Sequence, residues 1–69
     1  MIKISKMPFE RNSYIVSTNM NYTDLTRDYH WPKMAAWLEE NEIEYSLQGN
    51  IIAFKDDMNG SLFAIRWTQ

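Results

Sequence analysis

The chain predicts an α+β fold: an antiparallel sheet of four to five strands, made from an N-terminal hairpin and a C-terminal meander, with one amphipathic helix packed on one face in the order β-β-α-β-β-β. Three observations carry that expectation. Apolar and polar residues alternate near the start and over Ile43 to Trp67, two Gly-containing turn sequences interrupt the second stretch, and the segment between shows helical spacing. At 69 residues there is room for a single domain, residues 1–69, and no second core.

The first strand is expected over residues 1–7, where Ile2 and Ile4 face one way and Lys3 and Ser5 the other. Pro8 ends it. Residues 8–13 have turn chemistry, and Tyr14 to Thr18 resume a β-branched and aromatic run, closing a hairpin with a five- or six-residue loop. Asn19-Met20-Asn21 reads as a loop, and Thr23 or Asp24 as a cap for a helical turn or loop over 23–29. Pro32 restricts Trp31 but is pre-organised for a first helical turn, so the long helix is expected over 31–42. On it Met34, Trp37, Leu38 and Asn41 share a side, with Lys33, Glu39 and Glu40 elsewhere.

Beyond the helix, Ile43, Tyr45 and Leu47 alternate with Glu44, Ser46 and Gln48. Gln48-Gly49-Asn50 predicts a tight reversal into residues 51–55, and Asp56 to Gly60 a second reversal into a last strand over 61–67. In that strand Phe63, Ile65 and Trp67 would oppose Leu62, Ala64 and Arg66, leaving both faces partly apolar. A sheet covered by one helix leaves a second face for a partner or for a homodimer interface.

Composition limits how such a fold is held and what it does. With no Cys and a single His, neither disulfides nor a His/Cys metal site staples the chain, so packing of three Trp, four Tyr and three Phe must supply the core. Trp37, Tyr45, Phe54 and Phe63 fall on the apolar faces of their elements and are expected inside. Phe9, Tyr22, Tyr29, Trp31 and Trp67 lie in loops or near element ends, where aromatics often anchor interfaces. Lys3 and Lys6 interrupt any signal-peptide core and no apolar run reaches membrane-spanning length, so a cytoplasmic protein off the membrane is expected.

No constellation points to catalysis or to a cofactor. His30 is the one conventional base, without a nucleophile motif beside any Ser, so an enzyme centred on it is the weakest alternative. Both glycines sit at expected turns, which excludes a glycine-rich phosphate loop. Lys55 to Gly60 superficially resembles a calcium loop, but cations would occupy positions one (Lys55) and twelve (Arg66), so a turn is expected instead.

Charge is the more informative feature. The net charge of −2 is uneven: residues 1–20 are cationic, and residues 21–45 hold six acids against Arg27 and Lys33. Glu39, Glu40, Glu42 and Glu44 crowd the end of the expected helix, where the negative end of the dipole disfavours anions by some tenths of a kcal/mol each. Folding alone would prefer lysines there. The expected function is therefore non-catalytic docking on another protein with a basic surface, through Glu39, Glu40, Glu42 and Glu44 together with Tyr29 and Trp31. Asp24, Asp28, Asp56 and Asp57 would extend the patch if the fold brings them near. The alternative is a small single-stranded nucleic-acid module using a sheet face, with Lys3, Lys6, Arg11, Lys55 and Arg66 on phosphates, and the missing basic stripe argues against it.

In length and bulk composition, rich in Asn, Ile, Tyr and Met and devoid of Cys, the chain resembles the small host-directed proteins of tailed phages with AT-rich genomes. That resemblance implies an inhibitor or modulator of a host nuclease, polymerase factor, toxin or defence protein, acting in the host cytoplasm.

Overall fold

A computed structural model describes residues 2–18 and 24–68 and gives an α+β fold of one four-stranded antiparallel sheet and two helices. The strands are β1 (Lys3–Lys6), β2 (Ser13–Ser17), β3 (Tyr45–Gln48) and β4 (Ile51–Phe54); the helices are α1 (Trp31–Glu40) and α2 (Asp57–Trp67). A 3-10 turn, Leu25–Arg27, precedes α1. The sheet order is β1-β2-β4-β3, so the two hairpins join through β2 and β4, with Tyr14 opposite Ile52. The loop expected at residues 19–21, and Tyr22 and Thr23, lie outside the described residues.

Alternation decides which side of the sheet is covered. Tyr14 and Val16 of β2 and Ile52 and Phe54 of β4 are buried, whereas Ile15, Ile51 and Ala53, on the other side, are half-buried. Both helices lie on the first side. Met34 and Leu38 of α1 are fully buried there, and Phe63 of α2 packs its ring 5.4 Å from that of Phe54. Trp37 spans the two helices, 6.3 Å from Phe63 and 6.4 Å from Trp67. Phe54 and Phe63 are thus core as expected, while Trp37 is half-buried and Tyr45 sits at the rim.

The fifth strand expected over 61–67 is not a strand. Residues 57–67 form α2, and the expected turn at 56–60 is its N-terminal end: the Asp56 side chain accepts from Met58 N–H at 2.9 Å, as an N-cap does. Gly60, Phe63, Ala64 and Trp67 recur at i, i+3, i+4 and i+7 and form its inner face. Met58, Leu62 and Ile65 add a second apolar row on the outer face. The two rows interleave in sequence, which produces the apparent alternation of a strand.

The other elements follow their sequence signals. Gly49, at φ 62°, takes the first central position of a two-residue turn between β3 and β4, where a side chain would be strained. Asp24 caps the 3-10 turn through Thr26 N–H at 3.0 Å. Pro32 sits in the first turn of α1, where its missing N–H costs nothing. Among the described residues, no helix is long and apolar enough to cross a membrane.

Candidate functional site

The end of α1 is built in a way that folding alone does not favour. Asn41 caps the helix, and Glu42 follows at φ 54°, in the left-handed region. Glu42 N–H donates to the Glu39 carbonyl at 3.1 Å and Ile43 N–H to the Leu38 carbonyl at 2.9 Å, the paired bonds of a Schellman ending, with Leu38 and Ile43 both buried. Glycine is the usual residue at such a position, and a side chain there costs about 1 kcal/mol. Here the side chain is a carboxylate.

Glu42 opens onto a groove of about 710 Å³ where three connections meet: the β1–β2 loop, the α1–β3 link and the β4–α2 link. Four carboxylates line it, those of Glu42, Glu44, Asp56 and Asp57, against two cations, Arg11 and Lys55. Backbone bonds fix its walls. Asn12, also left-handed at φ 57°, accepts from Phe54 N–H at 2.9 Å through its carbonyl and donates its side-chain amide to the Lys55 carbonyl.

The four carboxylates differ in how firmly they are held. Asp57 accepts from Lys6 Nζ and from the Tyr14 hydroxyl, each at 3.1 Å, and these two bonds, Lys6 first, lower its pKa against a smaller desolvation effect. Asp56 is committed to capping α2. Glu44 lies 3.5 Å from Lys55 with both side chains largely in water, an ion pair of little strength. For Glu42 no ion pair exists among the described residues.

The expected docking residues are only partly gathered. Glu42 and Glu44 enter the groove together with Asp56 and Asp57, while Glu39 and Glu40 are exposed on the last turn of α1 and do not line it. Tyr29 and Trp31 stand at the start of α1, about 15 Å away along a ten-residue helix. Trp31 is half-buried, its ring 5.9 Å from that of Tyr45 in an edge contact, whereas Tyr29 is 73% exposed. The groove residues that the sequence does not assign to it are Arg11, Asn12, Lys55 and Asn59. Arg11 and Asn12 belong to the β1–β2 loop, Lys55 to the β4–α2 link and Asn59 to the first turn of α2, and the groove forms where these segments meet.

Asp24 and Asp28 do not extend the patch. Asp24 caps the 3-10 turn. Asp28 is buried at 4% exposure and ties the end of β2 to the start of α1: it accepts from the Thr18 hydroxyl, from His30 N–H at 2.8 Å and from His30 Nδ1 at 2.8 Å. Burial pushes its pKa up, but the bonds from Thr18 and His30 together outweigh that and hold it below the ordinary carboxylate value. The carboxylate fixes Nδ1 as the donor nitrogen of His30. Among the described residues, no hydroxyl hydrogen-bonds to its other ring nitrogen, and no group of three acidic or imidazole side chains is placed to hold a metal.

Of the five cations of the nucleic-acid alternative, Lys6, Arg11 and Lys55 gather at the acidic groove, where carboxylates face them, rather than on an open sheet face. Lys6 is bonded to Asp57, Lys55 faces Glu44, Arg11 lines the acidic groove and the Arg66 guanidinium lies 4.5 Å from the Trp67 ring centroid. Lys3 stands on the uncovered sheet face, which otherwise carries Ser5, Ser13, Ser17, Ser46 and Gln48 around Ile15, Ile51 and Ala53.

No family model matches the chain, and no curated protein or solved structure matches it.

Proposed function

We propose that the protein is a small non-catalytic docking module that seats the groove formed by Glu42, Glu44, Asp56 and Asp57 against a basic surface of another protein and modulates or blocks that partner. The observation that carries this reading is Glu42: a carboxylate placed where backbone geometry favours glycine, opening onto a groove that already holds three more acids. Strain of this kind persists when the side chain has work elsewhere. Glu42, which has no ion pair among the described residues, and the weakly paired Glu44 can exchange water for a partner's Arg or Lys, which also steers encounter. Exposed Glu39 and Glu40 extend the negative field from the adjoining turn. Bulk resemblance to small phage proteins supports an inhibitory role on a host factor inside the host cell. The pairing of Lys6 with Asp57 and of Lys55 with Glu44, which sets these cations against carboxylates, supports docking on protein over binding of single-stranded nucleic acid.

The test is affinity capture from the native host with wild-type protein and with Glu42→Lys/Glu44→Lys, followed by mass spectrometry. A basic partner retained by the wild type, released by salt and lost with the variant is expected, with the circular dichroism of the two proteins alike. Capture that the double variant leaves unchanged removes the groove from the proposal. A labelled single strand shifted at low salt by the wild type would favour the nucleic-acid alternative.

A further inference from the structure

Helix α2 carries an apolar row that the described residues leave exposed. Its inner face, Gly60, Phe63 and Trp67, is buried against the sheet and α1. On the opposite side Met58, Leu62 and Ile65 recur at i, i+4 and i+7 and are 69%, 48% and 78% exposed. Isolated exposed apolar residues are ordinary, but three in register along two turns, on a chain that must keep every apolar group it can for its core, make a contact surface.

We infer that this outer face packs against the same face of a second copy of the chain, with the two α2 helices antiparallel about a two-fold axis near Leu62. The row is suited to that symmetry: Met58 lies four residues before Leu62 and Ile65 three after it, so the axis sets Met58 of one copy opposite Ile65 of the other and Leu62 against Leu62. Charge selects the direction. The Asp56 carboxylate stands at the start of α2, beside an Asp57 already paired with Lys6, and Arg66 in its last turn, so antiparallel packing brings the acidic end of each helix to the basic end of its neighbour. The helix dipoles are opposed in the same arrangement, whereas parallel packing would place like ends together. A two-fold contact of this kind leaves the carboxylates of Glu42 and Glu44 outside the apolar row and shares with the docking groove only the acidic start of α2, so substitution of Glu42 and Glu44 separates the two proposals.

Sedimentation of the full chain from micromolar to millimolar concentration tests the inference. The mass is expected to rise toward that of two chains, Leu62→Glu to weaken association about tenfold or more with unchanged circular dichroism, and Glu42→Lys/Glu44→Lys to leave it intact. Because the sequence has no Cys, single cysteines report the register directly. Under mild oxidation Leu62→Cys should link to itself, and Met58→Cys should link to Ile65→Cys in a mixture more readily than either links to itself. A wild-type mass of one chain at every concentration, association undiminished by Leu62→Glu in a folded variant, or preferential Met58→Cys self-linking would each overturn it. If Leu62→Glu fails to fold, the cysteine pairs decide alone.

Discussion

The Tyr14 ring occupies the space where a side chain on Gly60 would stand: a methyl group on Gly60 would fall 2.3 Å from Tyr14 Cε1 and 2.9 Å from Cζ. Strand β2 and helix α2 approach this closely because the Tyr14 hydroxyl also bonds Asp57, one turn earlier on the same helix. The glycine is therefore a packing requirement set by β2.

Gly60→Ala is expected to destabilise by about 1–3 kcal/mol in urea titration, although alanine is the better helix former by about 1 kcal/mol. In a Tyr14→Ala background the same substitution should cost little or stabilise. Additive effects in that double-mutant cycle would show that the ring is not what excludes the side chain.

Glu42→Gly should raise stability by about 1 kcal/mol, since it relieves a left-handed backbone and removes an anion from the helix C-terminus. The same variant should bind the captured partner more weakly. Gain of stability with loss of binding is the signature of strain kept for function, and urea midpoints beside binding isotherms would show it.

Acid should destabilise the protein through Asp28. Its folded pKa lies below the unfolded value of about 3.9, so its contribution is present above that value and is lost as pH falls through the folded pKa. Asp24 and Asp57 are shifted the same way, so Asp28→Asn should flatten, without abolishing, the fall in stability below about pH 4. At neutral pH, Asp28→Ala should cost about 2–3 kcal/mol, because it removes the buried acceptor of the two His30 donors and of the Thr18 hydroxyl. Urea titrations across pH would read both effects.

Lys55→Ala should change stability by less than about 0.5 kcal/mol, because its pairing with Glu44 is exposed on both sides. It frees Glu44 and makes the groove more acidic, so association with a basic partner should become faster and more salt-dependent. Stopped-flow association at two ionic strengths would measure this.

The strands, the two hairpin connections and α1 were legible because each uses one periodicity and a recognised terminator: Pro32 at the start of α1, Gly49 in its turn. Helix α2 was not, for two reasons that reside in particular residues. Leu62 and Ile65 fill the outer face and mask the spacing of Phe63 and Trp67, and Asn59-Gly60 is a strong hairpin signal that Tyr14 reassigns to close helix packing. The acidic character of the groove is legible in Glu42 and Glu44, with Asp56 and Asp57 as its extension, whereas Glu39 and Glu40 stand outside it. The location of the groove is not, because it arises where three connections converge, a relation set by tertiary contacts. Tyr29 was displaced from it by the length of α1.

The meeting of the two hairpins through β2 and β4 alone has a consequence for how the molecule opens. Ser13 pairs with Ala53 and Tyr14 with Ile52 across most of the chain, so this seam closes only after both halves exist, whereas β1 and β3 are the edge strands of the sheet. Amide protons at the seam should therefore exchange only when the whole molecule lets go, and those of the edge strands in smaller, more frequent breaths.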